Sequence, residues 1–168
     1  MPHTVYTFLQ QVSLNLFNNG GYSFHHNAEH ITQAGTAENH LTPPDFGNLG
    51  ERFRKSGFGS VLFQEYSNAL PHEKYTLGYT GRPGGPNFYI NTKDNTELHG
   101  PNGYSVDGLA DPCFAKVVKG QEVVDLIHQQ SGELGAGDYK EFNDGNVAVR
   151  SIKLIKLAEH HAAELDIL

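Results

Sequence analysis

At 168 residues the chain has the size of one domain, large enough to bury a core and too short for a second unit of ordinary size. Its 19 glycines, 8 prolines, 8 tyrosines and 10 phenylalanines, with 38% hydrophobic residues, suit a strand-rich globular protein better than a disordered or all-helical one. A formal charge of −7 without a basic run argues against nucleic-acid partners, no stretch approaches the roughly 20 apolar residues of a membrane span, and the single cysteine, Cys113, excludes an internal disulfide.

In chain order, Val5, Phe8, Leu9, Val12 and Leu16 recur at three- and four-residue steps, so a helix is predicted after Pro2 with Thr4 as its cap; residues 18–21 end it. Residues 22–26 and 31–34 read as two short strands joined tightly through residues 27–30. Residues 36–59 read as a long surface loop with a helical turn near residues 49–54, and residues 60–66 as a further strand.

Tyr75, Leu77 and Tyr79 then alternate with smaller or polar residues, the period of a half-buried strand, and Phe88, Tyr89 and Ile90 form a second run. Between them Gly81, Gly84 and Gly85 permit close backbone approach while Pro83 and Pro86 fix φ, which predicts an ordered loop at a sheet edge or rim. Residues 93–108 form a second long loop, and Cys113 is expected mid-strand as a buried small residue. A helix is expected over residues 121–130 with Val123, Val124 and Ile127 on one side, then a glycine-interrupted turn region over residues 132–145. Residues 147–157 read as a strand with a bulge or register change near Arg150, and residues 158–168 as a frayed polar helix. The organisation is one domain, residues 1–157, with a polar tail, residues 158–168.

Ten histidines raise the question of a metal, with His25, His26, His30 and His40 close in sequence. Strand alternation sends His25 and His26 to opposite faces, and neither a His-Glu-x-x-His pattern nor a cysteine pair supports them. No Gly-x-Ser-x-Gly elbow marks a triad, and the glycine loop lacks the helix and Lys-Ser/Thr of a phosphate site. No metal and no cofactor is expected.

Two segments resemble one family. Asn87-Phe88-Tyr89-Ile90-Asn91-Thr92 is similar to the Gln-Phe-Phe-Ile run of the cyclophilins, and Asp111 to Asp125 resembles that family's Phe-Gly-Lys-Val-Val-x-Gly-x-x-Val-Val strand, turn and helix. Phe24, His25 and Gln33 also match the segment that carries the family's catalytic arginine and a substrate-binding glutamine, and the Pro2 segment resembles its first helix. The resemblance implies a mainly β fold, an antiparallel barrel with two capping helices, here incomplete at the N-terminus because the two opening strands would precede Met1. Either the sequence is truncated or the barrel closes in another way, and an unclosed sheet would have unpaired edges prone to association.

The implied activity is cis-trans isomerisation of X-Pro bonds in peptides or proteins, which needs an apolar hollow for the proline ring and a donor at the proline nitrogen, without nucleophile, metal or cofactor. Carried over, Tyr89 forms the hollow's floor and Ile31 part of its wall; Gln33 and Asn87 bind substrate backbone, with Thr80 beside them. Leu98 is the nearest apolar residue to the family's loop tryptophan. His26 stands at the arginine position, and imidazole is shorter than guanidinium and mostly neutral above pH ~6.5. Arg82 in the neighbouring loop is the candidate to replace the missing charge. The expected alternative is an inactive module of the same fold that binds a proline-containing partner segment.

Overall fold

The computed structural model describes residues 1–18, 21–36, 49–101, 103, 108–134, 140–142 and 146–155. Among the described residues three helices, α1 (Pro2–Ser13), α2 (Leu49–Ser56) and α3 (Gln121–Gln129), accompany eight strands. The strands are β1 (Tyr22–Asn27), β2 (Ile31–Thr36), β3 (Thr76–Gly81), β4 (Gly84–Asn91), β5 (Cys113–Lys116), β6 (Ser131–Leu134), β7 (Lys140–Phe142) and β8 (Val147–Ala148). They make one antiparallel sheet in the order β5-β3-β4-β2-β1-β7-β6, with β8 also paired to β1. Among the described residues the path from β5 to β6 does not close, as the mainly β, incomplete antiparallel barrel implied.

Period-two alternation decides which side chains make the core. Phe24 pairs with Ala34, Ala34 with Phe88 and Phe88 with Tyr79, so these four share one face. Val12, Leu16, Phe17, Phe53 and Val124 complete the cluster on it. α1 delivers Phe8 to that face, with its ring 6.1 Å from Phe88 and 5.1 Å from Phe114. Its one deeply buried amide is satisfied: Gln11 Nε2 donates to the Phe58 carbonyl at 2.6 Å and Oε1 accepts from the Tyr79 hydroxyl at 2.7 Å.

Several local expectations are corrected. Thr4 does not cap α1; Met1 occupies the cap, and the Glu65 carboxylate accepts from Thr4 N and Thr4 Oγ1, both at 2.7 Å, and from His3 N at 3.2 Å. An anion at a helix N-terminus satisfies amides that have no partner within the helix. That also explains why residues 60–66 are not a strand: their polar groups serve α1 and the β3–β4 hairpin, with Val61 N bonded to Gly84 O. The helical turn near residues 49–54 is a two-turn helix, α2, which seats Phe53 against Phe17 and Tyr22 and adds a third helix to the two expected.

The hairpin loop is shorter than expected, because β4 starts at Gly84 and takes in Gly85 and Pro86; only Arg82 and Pro83 turn the chain. Gly81 and Gly85 have φ of 87° and 105°, and a Cβ at Gly84 would press on Tyr79 Cβ at 2.6 Å, so two of these glycines are fixed by conformation and one by packing. In α3 only Val124 is buried, and Val123 is 51% exposed. The expected turn region after α3 contains β6 and β7. Of the expected strand over residues 147–157, the described part pairs with β1 through Val147 and Ala148 and the Val149 N to Tyr22 O bond at 2.9 Å; beyond it Ile152 N bonds to Asn18 Oδ1. The predicted tail, residues 158–168, and His40 lie outside the described residues.

Candidate functional site

The row next to the core row runs along the opposite face. His26 pairs with Gln33, Gln33 with Tyr89, Tyr89 with Gly78 and Gly78 with Cys113, so β1, β2 and β4 bring His26, Gln33 and Tyr89 into one line. Ile31, two residues from Gln33 on the same face, packs with Ala28 and Tyr89 in a small cluster separate from the main core. A bulge between Phe24 and His26 breaks the alternation that was expected to separate the two histidines, and their ring centroids are 6.0 Å apart.

Tyr89 is not the open floor the resemblance implied. It is 1% exposed. The His99 ring stacks on it at 4.6 Å, the His72 ring lies 6.0 Å away, and its hydroxyl donates to Asp111 Oδ2 at 3.1 Å. The ring fits only because position 78 has no side chain: a Cβ there would fall within the Tyr89 phenol. Gly78→Ala is therefore expected to destabilise the fold by about 1–3 kcal/mol, the usual range for overpacking, as measured by urea unfolding.

Asp111 is the hub of this cover. Its Oδ2 lies 2.8 Å from His99 Nδ1, its Oδ1 3.1 Å from an Arg82 guanidinium nitrogen, and its carbonyl 3.0 Å from His72 Nε2. Carboxylate and carbonyl oxygens only accept, so His99 carries its proton on Nδ1 and His72 on Nε2, which leaves His72 Nδ1 to accept from Asn91 Nδ2 at 3.4 Å. Asn91 also donates to Thr76 Oγ1 at 2.9 Å, and Asn95 Nδ2 donates to Asn91 Oδ1 at 2.7 Å. Burial pushes the Tyr89 phenol well above its ordinary range, and the Asp111 carboxylate pushes the same way. Burial also lowers His72.

Burial, then the neighbouring His99 and Lys93, hold His30 down at about 4. The native state therefore binds the His30 proton less tightly than the unfolded chain, whose imidazole titrates near 6.5. Stability is expected to be complete above pH ~6.5 and to fall as the pH drops towards 4, and a His30→Gln variant is expected to flatten that part of the curve in denaturant titrations at several pH values.

The remaining sequence-derived residues divide. Asn87 is on the site face, yet its Oδ1 accepts from Thr36 N at 3.1 Å and its side chain fills the space over Gly35. Thr80 Oγ1 donates to the Asn87 carbonyl at 3.3 Å. Arg82 reaches the site through Asp111. Leu98 is apart from the row, in a shallow hollow with Lys93, Asp94, Asn95, Thr96, Glu97 and Gly103. Sequence reading missed His72, His99 and the role of Asp111. The one signal for Asp111 was its place two residues ahead of Cys113, which puts it on the Tyr89 face once β5 pairs with β3. Among the described residues no three His, Cys, Asp or Glu side chains converge as a metal set, and no helix is long and apolar enough to cross a membrane.

A family model described as cyclophilin type peptidyl-prolyl cis-trans isomerase/CLD matches residues 1–154. The chain belongs to the cyclophilin-type peptidyl-prolyl cis-trans isomerase family. No curated protein matches it in sequence. Two solved structures of a cyclophilin-type peptidyl-prolyl cis-trans isomerase from Cryptosporidium parvum share its fold. The one obtained in the presence of the dipeptide Ala-Pro has a TM-score of 0.62 at 16% identity and covers 93% of this chain and 87% of that one. The other has a TM-score of 0.63 at 16% identity, with 94% and 86% covered. In this member of the family His26, Gln33 and Tyr89 lie in one row, and a polar cover lies over the aromatic ring.

Proposed function

We propose that this cyclophilin engages X-Pro segments of peptides or proteins over the row His26, Gln33 and Tyr89 and acts on them as a slow peptidyl-prolyl isomerase. The observation that carries the reading is the register of β1, β2 and β4, which aligns a ring donor, an amide and an aromatic side chain on one face of a stiff sheet. Rotation about an X-Pro bond meets a barrier of roughly 20 kcal/mol, lowered when a donor meets the proline nitrogen as it loses conjugation with the carbonyl. Gln33 is half-buried at the lip and suited to hold the substrate backbone, with His26 beside it as the donor. No cofactor takes part. The dipeptide Ala-Pro used with the Cryptosporidium parvum relative supports this ligand class.

Two features make the reaction slow. Imidazole at position 26 offers a donor without the fork or permanent charge of a guanidinium. The Arg82 guanidinium is engaged by Asp111 and does not stand free to replace it. Tyr89 is also covered, so the proline ring lacks a ready hollow. That burial favours a second reading, a non-catalytic module that binds a proline-containing segment of a partner. NMR exchange spectroscopy on an Ala-Pro-containing peptide separates them: catalysed cis-trans exchange supports the slow isomerase, and a rate equal to that of the peptide alone, with binding retained, supports the module.

A further inference from the structure

Asp111 meets three side chains with two oxygens. Oδ2 accepts from the Tyr89 hydroxyl at 3.1 Å and lies 2.8 Å from His99 Nδ1, while Oδ1 lies 3.1 Å from Arg82 Nη2. A carboxylate shared in this way compensates the guanidinium only in part. Among the described residues that is the one ion pair of Arg82, made through a single nitrogen, whereas a guanidinium offers five donors in a planar fork. The pair is also lopsided, with the Asp111 side chain 10% exposed and that of Arg82 27%. In the pairs Lys74–Asp125 and Lys116–Glu73, by contrast, the lysine and its carboxylate are about equally open to solvent. Arg82 is also held in place, because it and Pro83 alone make the turn between the paired Gly81 and Gly84. A cation with unused donors therefore stands at the rim of the Tyr89 cover.

We propose that Arg82 is a specificity-determining residue whose unused donors take a carboxylate from the ligand, so that the X-Pro segments this protein prefers carry an Asp or Glu within two residues of the proline. The proposal rests on the X-Pro reading for the proline and on the Arg82 contacts for the acid. A carboxylate against the outer edge of the guanidinium forms charge-assisted hydrogen bonds of fixed geometry. It lies farther from the Asp111 carboxylate than from Arg82, so attraction outweighs repulsion. Over the rest of the surface the sign is opposite, since a chain of formal charge −7 repels an acidic peptide. A preference for acid is thus a local property of Arg82, and it disappears with that side chain.

The test is a calorimetric titration of the whole chain and of its Arg82→Gln variant, at low ionic strength, with short proline peptides that carry Glu or Gln in turn at each of the two positions before and after the proline. At one of these positions Glu is expected to bind the parent chain about fivefold more tightly than Gln, the upper end for an exposed charge pair, and the Arg82→Gln variant no more tightly than Gln. No position that favours Glu, or a preference that survives in Arg82→Gln, overturns the proposal. The same Glu peptide with alanine in place of its proline separates the two readings. Binding that no longer needs the proline but keeps its dependence on Arg82 upholds the acid site and overturns the X-Pro reading; binding that needs the proline and ignores the acid does the reverse. Should Arg82→Gln fail to fold, the Arg82 Nε–H resonance of the parent chain decides: it is expected to move with the Glu peptide and not with the Gln peptide, and an unmoved resonance overturns the proposal.

Discussion

Replacing Asp111 with alanine is expected to lower the unfolding free energy by about 2–4 kcal/mol, because two buried donors, the Tyr89 hydroxyl and the His99 Nδ1–H, lose their acceptor. The carboxylate accepts from Tyr89 and His99 and pairs with Arg82. Its loss strands the Tyr89 hydroxyl and the His99 Nδ1–H, each with a desolvation cost of about 1–3 kcal/mol, and leaves the guanidinium without its anion. Asp111→Glu is expected to recover part of the loss, since its longer arm keeps the charge and misplaces the oxygens. Urea unfolding measures both. A loss below about 1 kcal/mol for Asp111→Ala, the scale of an exposed pair, would show that the cover is held by stacking of His72, Tyr89 and His99 rather than by the carboxylate.

The second large effect is on rate. His26→Arg is expected to speed catalysed X-Pro isomerisation on the order of tenfold to a hundredfold, because one donor placed where the transition state needs it has effects of that scale and above. Arginine brings a permanent charge and two parallel donors to a position in register with Gln33. A protease-coupled assay on an X-Pro peptide reads the gain as kcat/KM. The change should leave stability nearly untouched, since residue 26 is only partly buried on β1. A folded His26→Arg protein with the parent's rate would place the limitation in the Tyr89 cover instead.

What the sequence disclosed follows from how local each signal is. The hairpin of β1 and β2 and the run Phe88 to Ile90 are written in period and punctuation over a dozen residues, and the structure has them in place; α1 is there too, but it ends at Ser13 and buries Thr4, Thr7, Gln11 and Val12, with Leu9 of the predicted stripe exposed. Gln33 and Tyr89 fall in one row because both strands were located correctly and two antiparallel strands share a face at each pair. The failures have long-range causes. Residues 60–66 look β-like, but Glu65 is used at the start of α1, 61 residues away in sequence. His25 and His26 obey alternation until a bulge, which depends on the partner strand, brings their rings together. The cover over Tyr89 joins His72, Arg82, His99 and Asp111, four residues that no spacing rule connects. A tyrosine in place of the family's phenylalanine was visible, and its hydroxyl is the group the buried carboxylate serves.

The most direct test is where an X-Pro peptide lands on the folded protein. Amide chemical-shift mapping with an Ala-Pro-containing peptide is expected to move His26, Gln33 and Tyr89 together, followed by His99 and Asp111 as the cover responds. Shifts confined to the 93–103 hollow around Leu98, or to the far side of the sheet near α1, would contradict the account.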